Sequence, residues 1–334
     1  MSVLRQDPTT HQWVIVAPVR GDRPHSPAVW ARPELPARDP SCPFCPGNED
    51  QTPPEVARDP ADGWQVRVVP NKYGALGGNG STERGGSPMF RDMPGVGSHE
   101  VVIESPRHDA RMHDMSVEEV SRVVRMWRAR YRELIAEPQL RAVVVFKNFG
   151  TLAGTSLVHP HSQVVATPVF LPRLIRRLDV ATRYFDDNGH CVYDDLIEAE
   201  RDAGARIVEE RGGFVSLVPF AAATPFETWI LPTSHESSFG EIRDEEIEGF
   251  ASLLRSTFGA IRAACGDPDY NLVLYSAPLN GHPEEYFHWH VKILPKLTTP
   301  AGFEIGSAMS INTVLPEDSA VALRGALHHA HAGQ

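Results

Sequence analysis

HPHSQVV, residues 159–165, has a counterpart later in the chain, FHWHVKI at residues 287–293. Each places two histidines two apart, and in a β-strand residues two apart share a face. His159, His161 and Gln163 therefore line one side of a strand, with Pro160 and Ser162 on the other. Working outward from each pair, the same elements recur in the same order. AVVVFKN (142–148) corresponds to NLVLYSA (271–277), HEVVIESPRH (99–108) to FETWILPTSH (226–235), and VRVVP (66–70) to FVSLVP (214–219). His235 follows His108, and His288 follows His159, by nearly the same interval of about 127–129 residues, and a constant offset across separate motifs marks a duplication. Two copies are too few for a solenoid. The expected fold is α+β: two fused copies of one module, residues 1–170 and 171–334, each an antiparallel sheet with a packed helix.

The helical stretches agree with this division. Ser116 and Glu119 form a capping-box pair before SVEEVSRVVRMWRARYRELIAE, where Val120, Val123, Val124, Trp127, Tyr131 and Leu134 recur at helical spacing. Asp244 opens the matching helix, with Ile247, Phe250, Leu253, Leu254 and Phe258 on one face. Strand alternation is read at Val101/Ile103 and Trp229/Leu231. Residues 21–63, rich in Pro, Asp and Ala, read as an irregular arm, and the Gly-rich 74–98 as a loop. A further helix is expected over 171–186 and a short one after Pro316. The His-rich end ALHHAHAGQ is expected to be disordered.

Hydrophobic residues make up 41% and charged residues 22% of the 334, the balance of a soluble globular protein. No apolar run is long enough to span a bilayer and no basic-then-apolar leader follows Met1, so no membrane association is expected and the location is expected to be cytoplasmic. A net charge of −11 argues against a nucleic-acid partner, which needs a basic footprint, but not against a nucleotide substrate. Four cysteines in so long a chain make no disulfide framework. Cys42 and Cys45, spaced C-x-x-C, read as metal or redox chemistry in a reducing compartment.

Two imidazoles and a carboxamide on one strand face form a polar row that an ordinary core would not choose. The segment before it, KNFGTLAGTS (147–156), supplies Gly150 and Gly154 for close backbone approach and Asn148, Thr155 and Ser156 to hydrogen-bond phosphate oxygens. The pattern is that of a nucleophile beside an anion-binding loop.

FKNFGTLAGTSLVHPHSQ (146–163) together with CPFCPGNE (42–49) resembles the galactose-1-phosphate uridylyltransferase family, which belongs to the histidine-triad superfamily and whose fold is a tandem of the histidine-triad module. The resemblance runs from Arg20 to about Glu317. It implies that His161 attacks the α-phosphorus of a nucleoside diphosphate sugar, that a nucleotidyl-His161 intermediate remains, and that a second phosphate-bearing substrate takes the nucleotide in ping-pong fashion. Gln163 stands where the histidine-triad hydrolases have a third His. Its NH2 can bond a phosphoryl oxygen but cannot serve as a general acid, which favours transfer between phosphates over hydrolysis.

The resemblance also supplies His108 and His159 as ligands that complete a Cys2His2 zinc site with Cys42 and Cys45. Arg20 and Arg23 resemble the family's arginines that reach the partner subunit's site, which implies a homodimer, and Asn71 resembles its nucleotide-contacting Asn. Lys296 and Glu304, in and near AGFEIGS (301–307), are expected at the sugar phosphate. Some relatives carry a second metal in the C-terminal half; here Cys191, His235, His282, His288 and His290 are the candidates, with Asp194 where a second Cys of a C-x-x-C would stand. Two kinds of reaction fit. One is UDP-glucose:hexose-1-phosphate uridylyl transfer. The alternative is ADP-glucose phosphorolysis with inorganic phosphate as acceptor, which the AGFEIGS…INTVLPED pattern resembles more closely, while Phe303-Glu304, Ser310 and Ser162 depart from the residues that the uridylyltransferases commonly have.

Overall fold

The computed structural model describes residues 1–22, 32, 34–78, 80–277 and 285–332. Fifteen strands and six α-helices follow in order among them: β1 (Val3–Gln6), β2 (Trp13–Val16), β3 (Ala57–Asp59), β4 (Val66–Pro70), β5 (Gly85–Gly86), β6 (Arg91–Asp92), β7 (Ser98–Ile103), α1 (Val117–Ile135), β8 (Ala142–Phe149), β9 (His161–Thr167), α2 (Pro172–Asn188), α3 (Val192–Ala203), β10 (Ile207–Arg211), β11 (Phe214–Leu217), β12 (Thr228–Pro232), α4 (Asp244–Cys265), β13 (Tyr270–Tyr275), β14 (His290–Pro295), α5 (Gly302–Ser307), β15 (Ser310–Asn312) and α6 (Pro316–Ala332).

The duplication becomes a single ten-stranded sheet in the order β10-β11-β12-β14-β13-β8-β9-β7-β4-β3. Every neighbouring pair is antiparallel. Read inward from either edge, corresponding strands come in the same order. The seam is β8 against β13, with Phe149 opposite Tyr270 and Asn148 opposite Asn271. Joining the two copies here leaves neither central strand as an open edge.

One face of the sheet buries the apolar stripes of α1 and α4. Trp127 and Tyr131 from α1 share a continuous core with Phe250, Leu254 and Phe258 from α4. The capping box at Ser116 and Glu119 is present and fixes where α1 starts. On the other face the two halves differ. Over the C-terminal half, α2 and α3 pack Leu174, Tyr193 and Ile197 onto Trp229 and Leu231. Over the N-terminal half lies the irregular arm, which contributes Cys42, Phe44 and Cys45 against Val69, Val101 and Ile103 and leaves a cavity open beside them.

One expectation, the disordered His-rich end, is corrected. Residues 192–203, which follow the candidate ligand Cys191, form α3. Its apolar positions Val192, Tyr193 and Ile197 face the core. The His-rich end is not a free tail: α6 runs to Ala332 because Ala320, Leu323 and Leu327 dock on the main core. Most of AGFEIGS forms a short helix, α5.

Candidate active site

The duplicated strands bring the predicted residues to one end of β9. Cys42 and Cys45 sit on consecutive tight turns, where the Cys45 amide donates to the Cys42 carbonyl and the Asn48 amide to the Cys45 carbonyl. The Asn48 side chain braces this loop by donating to the Pro40 and Cys42 carbonyls at 2.9 and 2.8 Å. Cys42, Cys45, His108 and His159 are all buried, and their donor atoms lie within 4.8 Å of one another. Cys45 Sγ is 3.5 Å from His108 Nδ1 and 3.6 Å from His159 Nδ1. His159 Nε2 donates to the Ser105 carbonyl at 2.8 Å, so its Nδ1 lone pair faces the cluster. Burial pushes the His159 ring down to about 4 and the Cys42 thiol up to about 11. Two buried thiols and two imidazole lone pairs pointing at one another fit a divalent metal ion, which alone stabilises both sulfurs as thiolates there. The four residues form a Cys2His2 set that can bind such an ion.

His161 is the next residue on that face. Its Nδ1 is 2.8 Å from the His159 carbonyl oxygen. A carbonyl only accepts, so Nδ1 carries the hydrogen and the Nε2 lone pair is left free. Burial lowers the affinity of the ring for a second proton, which favours the neutral, nucleophilic form. Phe44 holds the ring edge-on at a centroid distance of 5.5 Å.

Beneath His161 lies a charge pair that the sequence reading missed. Lys147 Nζ meets Glu104 Oε2 at 2.5 Å, with side chains 3% and 1% exposed, and also donates to the His161 carbonyl at 3.1 Å. Breaking such a pair leaves one buried charge without its partner. Lys147→Met is expected to cost about 3–5 kcal/mol, read as a lowered urea midpoint. Lys147→Met/Glu104→Gln is expected to recover part of the loss.

A cavity of about 740 Å3 opens in front of His161, walled by Phe44, Asn71, Thr155, Ser156 and Gln163 among others. A smaller one of about 140 Å3 adjoins it through Ser156 and His161 and includes Asn148. Asn148 accepts from Asn271 across the seam at 2.8 Å. The loop between β8 and β9 is set by Gly150 at φ +84°, where a Cβ would come within 2.0 Å of the Asp269 carboxylate. That carboxylate accepts the Leu152 amide at 2.6 Å. Gly150→Ala is therefore expected to destabilise the fold by about 2–4 kcal/mol, from backbone strain and overpacking together, visible as a lower melting temperature. Ser162 points the other way and takes a hydrogen bond from Trp127 Nε1 at 2.7 Å, fastening β9 to α1.

Not every expected residue meets here. Arg20 is exposed in the turn after β2. Lys296 follows β14, and Glu304 accepts the Ala301 and Ile311 amides at 3.1 and 3.0 Å, bracing its own helix. Arg20, Lys296 and Glu304 lie off the walls of both cavities. Arg23 and His282 fall outside the described residues.

The C-terminal copy repeats the backbone logic and fills the space. His290 Nδ1 lies 3.1 Å from the His288 carbonyl oxygen, mirroring His161. Its ring, however, is stacked between Trp229 and Tyr275 at 5.2 Å each, and Lys292 stands where Gln163 would. Cys191, Asp194 and His235 do come within 4.8 Å of one another. Hydrogen bonding to Asp194 raises His235 to about 10, holding it as the imidazolium partner of that carboxylate. Both nitrogens of His288 face backbone groups of Pro232 and Glu236. Among the described residues this is a partial ligand set beside the complete Cys2His2 one.

Comparison with known proteins agrees with this geometry. Residues 1–170 match the family model for the galactose-1-phosphate uridyl transferase N-terminal domain, and residues 177–334 the model for its C-terminal domain. An ADP-glucose phosphorylase from Arabidopsis thaliana is 37% identical over 328 residues, 96% of this chain and 92% of the relative. A galactose-1-phosphate uridylyltransferase from Thermotoga maritima is 30% identical over 337 residues, 97% of this chain and 98% of the relative. The crystal structure of an Arabidopsis thaliana ADP-glucose phosphorylase with bound ADP-glucose superposes with a TM-score of 0.85 at 36% identity, covering 97% of this chain and 98% of that one.

Proposed function

The chain belongs to the galactose-1-phosphate uridyl transferase family of nucleotidyltransferases, and from that premise we propose that it moves a nucleoside monophosphate from a nucleoside diphosphate sugar to a second phosphate through a covalent nucleotidyl-His161. The observation that carries this is the hydrogen bond from His161 Nδ1 to the His159 carbonyl, which leaves Nε2 free at the cavity wall. Nε2 attacks the α-phosphorus, the N–P bond forms, and the bond to the β-phosphate oxygen breaks with its electron pair. The sugar 1-phosphate departs, and the positive charge left on the ring is stabilised through Nδ1–H by the same carbonyl. An oxygen of the acceptor phosphate then attacks the α-phosphorus and His161 returns neutral. Gln163 donates to a phosphoryl oxygen, as do Ser156 and Asn148, and Asn71 contacts the nucleotide.

Zinc is the metal we assign to Cys42, Cys45, His108 and His159, since a Cys2His2 set suits it. When bound, it ties the arm to the strand that carries the nucleophile. We place the division between copies at residues 170 and 171, between β9 and α2. Arg20 and Arg23 reach the partner subunit's site in a homodimer, and Lys296 and Glu304 serve the sugar phosphate. The half-buried apolar face of Val144, Val273 and Tyr275 across the seam supports such an assembly. A cytoplasmic location suits these substrates; among the described residues no helix is long and apolar enough to cross a membrane.

Two donor–acceptor pairs fit this reading. UDP-glucose with a hexose 1-phosphate is one, in keeping with relatives named as galactose-1-phosphate uridylyltransferases. ADP-glucose with inorganic phosphate is favoured by the 37% identity to an ADP-glucose phosphorylase. Isotope exchange tests the ping-pong scheme. With no second acceptor, labelled glucose 1-phosphate should enter the pool of whichever nucleotide sugar is the donor. Product formation only when donor and acceptor are both present, without exchange, would contradict a covalent intermediate.

A further inference from the structure

His99 lies one strand away from the nucleophile, on β7, opposite Val165 of β9 and diagonal to Gln163. Its ring is half-buried and sits where three groups converge. The Ala75 amide is 3.1 Å from Nδ1, Gln163 Oε1 is 2.7 Å from Nε2, and Asn71 Nδ2 is 3.1 Å from the same Nε2.

The backbone amide decides the tautomer. It can only donate, so Nδ1 must accept and the ring hydrogen must be on Nε2. Nε2–H in turn needs an acceptor, and Gln163 Oε1 is the acceptor facing it. That contact fixes which way round the Gln163 amide stands: oxygen towards β7, NH2 towards the cavity that Gln163 lines. Asn71 Nδ2 is itself a donor and cannot pair with a protonated Nε2. The Asn71 amide is oriented instead by Tyr73, whose backbone N–H donates to Oδ1 at 2.9 Å. A glutamine without this restraint turns over readily, since its two ends have nearly the same shape, and half of its orientations would aim a lone pair at an anionic phosphate.

We propose that His99 is a positioning residue for nucleotidyl transfer: as the neutral Nε2–H tautomer it locks the Gln163 carboxamide with its NH2 facing the substrate phosphates. The inference rests on the transfer reading above. His99 touches no reacting atom, and its effect passes through Gln163.

The test is a double-mutant cycle on the rate of His161 nucleotidylation in single-turnover experiments on the full chain. His99→Ala is expected to slow this step roughly 10- to 100-fold, with nucleotide-sugar affinity changed less than about threefold. His99→Gln, which can present an N–H near the former Nε2–H, should recover part of the rate. In the Gln163→Ala background the further change His99→Ala should have no added effect. Multiplying effects, or an unchanged rate in folded His99→Ala, would overturn the proposal. A second measurement stands apart from turnover: nitrogen-15 NMR of the ligand-free protein should show His99 as the neutral Nε2–H tautomer. Finding the Nδ1–H tautomer would overturn the positioning role by itself. Absence of any adduct in the unmutated protein would instead overturn the transfer reading.

Discussion

His161→Ala is expected to fold, retain its metal, bind nucleotide sugar and lose at least about four orders of magnitude in kcat, since removing a covalent nucleophile removes the route itself. His161 is 9% exposed, and among the described residues its side chain makes one hydrogen bond, to the carbonyl two residues back. The Lys147–Glu104 pair beneath it reaches only its backbone oxygen and survives the substitution. Circular dichroism, metal content and nucleotide titration should match the unmutated protein while the steady-state rate falls to background. His161→Gly with added imidazole should regain some transfer, because a free imidazole can enter the space and accept the nucleotide. A variant that kept more than about a hundredth of the rate would be incompatible with a nucleophilic role.

The second large effect concerns the metal set. Cys45 sits within reach of both His108 and His159, and the Asp39 amide lies 3.3 Å from its sulfur. Cys45→Ser is expected to abolish stoichiometric metal binding. The arm carrying Phe44 and the 42–49 turns then loses its anchor to β9. In isolated zinc fingers the ion contributes about 10–16 kcal/mol of apparent binding energy. Here a large sheet remains without it, so a loss of about 3–5 kcal/mol and a fall in melting temperature of about 10 °C are expected. Activity should drop at least about 100-fold because Phe44 forms part of the cavity wall and contacts the His161 ring. Strong chelators should reproduce both changes in the unmutated protein, and added zinc should reverse them. A chelated protein with unchanged melting and full activity would contradict this account.

The sequence was legible where periodicity and spacing were strong. The paired H-x-H strands and their constant offset predicted the duplication, and the sheet realises it with matching strand order on either side of the β8–β13 seam. The helical stripe of α1 was readable because Val120, Val123, Val124, Trp127, Tyr131 and Leu134 are all buried. The Cys2His2 set was readable only through resemblance, since the sequence alone offers a C-x-x-C and many histidines. His99 escaped notice because it lies in a strand between two other motifs and its role depends on the Ala75 amide, 24 residues away. Lys147 and Glu104 were hidden for a similar reason: β8 and the end of β7, which flank β9, bring together residues 43 positions apart, and each alone resembles surface charge. The filling of the second copy depends on α2 and α3, whose docking no local pattern specifies. Arg20, Lys296 and Glu304 lie off the walls of the cavities at His161, and no local pattern in the sequence shows that.

The most direct test of the central claim is the intact mass of the protein after incubation with UDP-glucose or with ADP-glucose, quenched in alkali to preserve an acid-labile N–P bond, with His161→Ala alongside. The account predicts a gain of one nucleoside monophosphate from one of the two donors, absent in the variant and discharged by the matching acceptor, hexose 1-phosphate or inorganic phosphate. A folded, metal-loaded protein that turns over a nucleotide sugar without gaining that mass, or a mass gain that persists in His161→Ala, would contradict it.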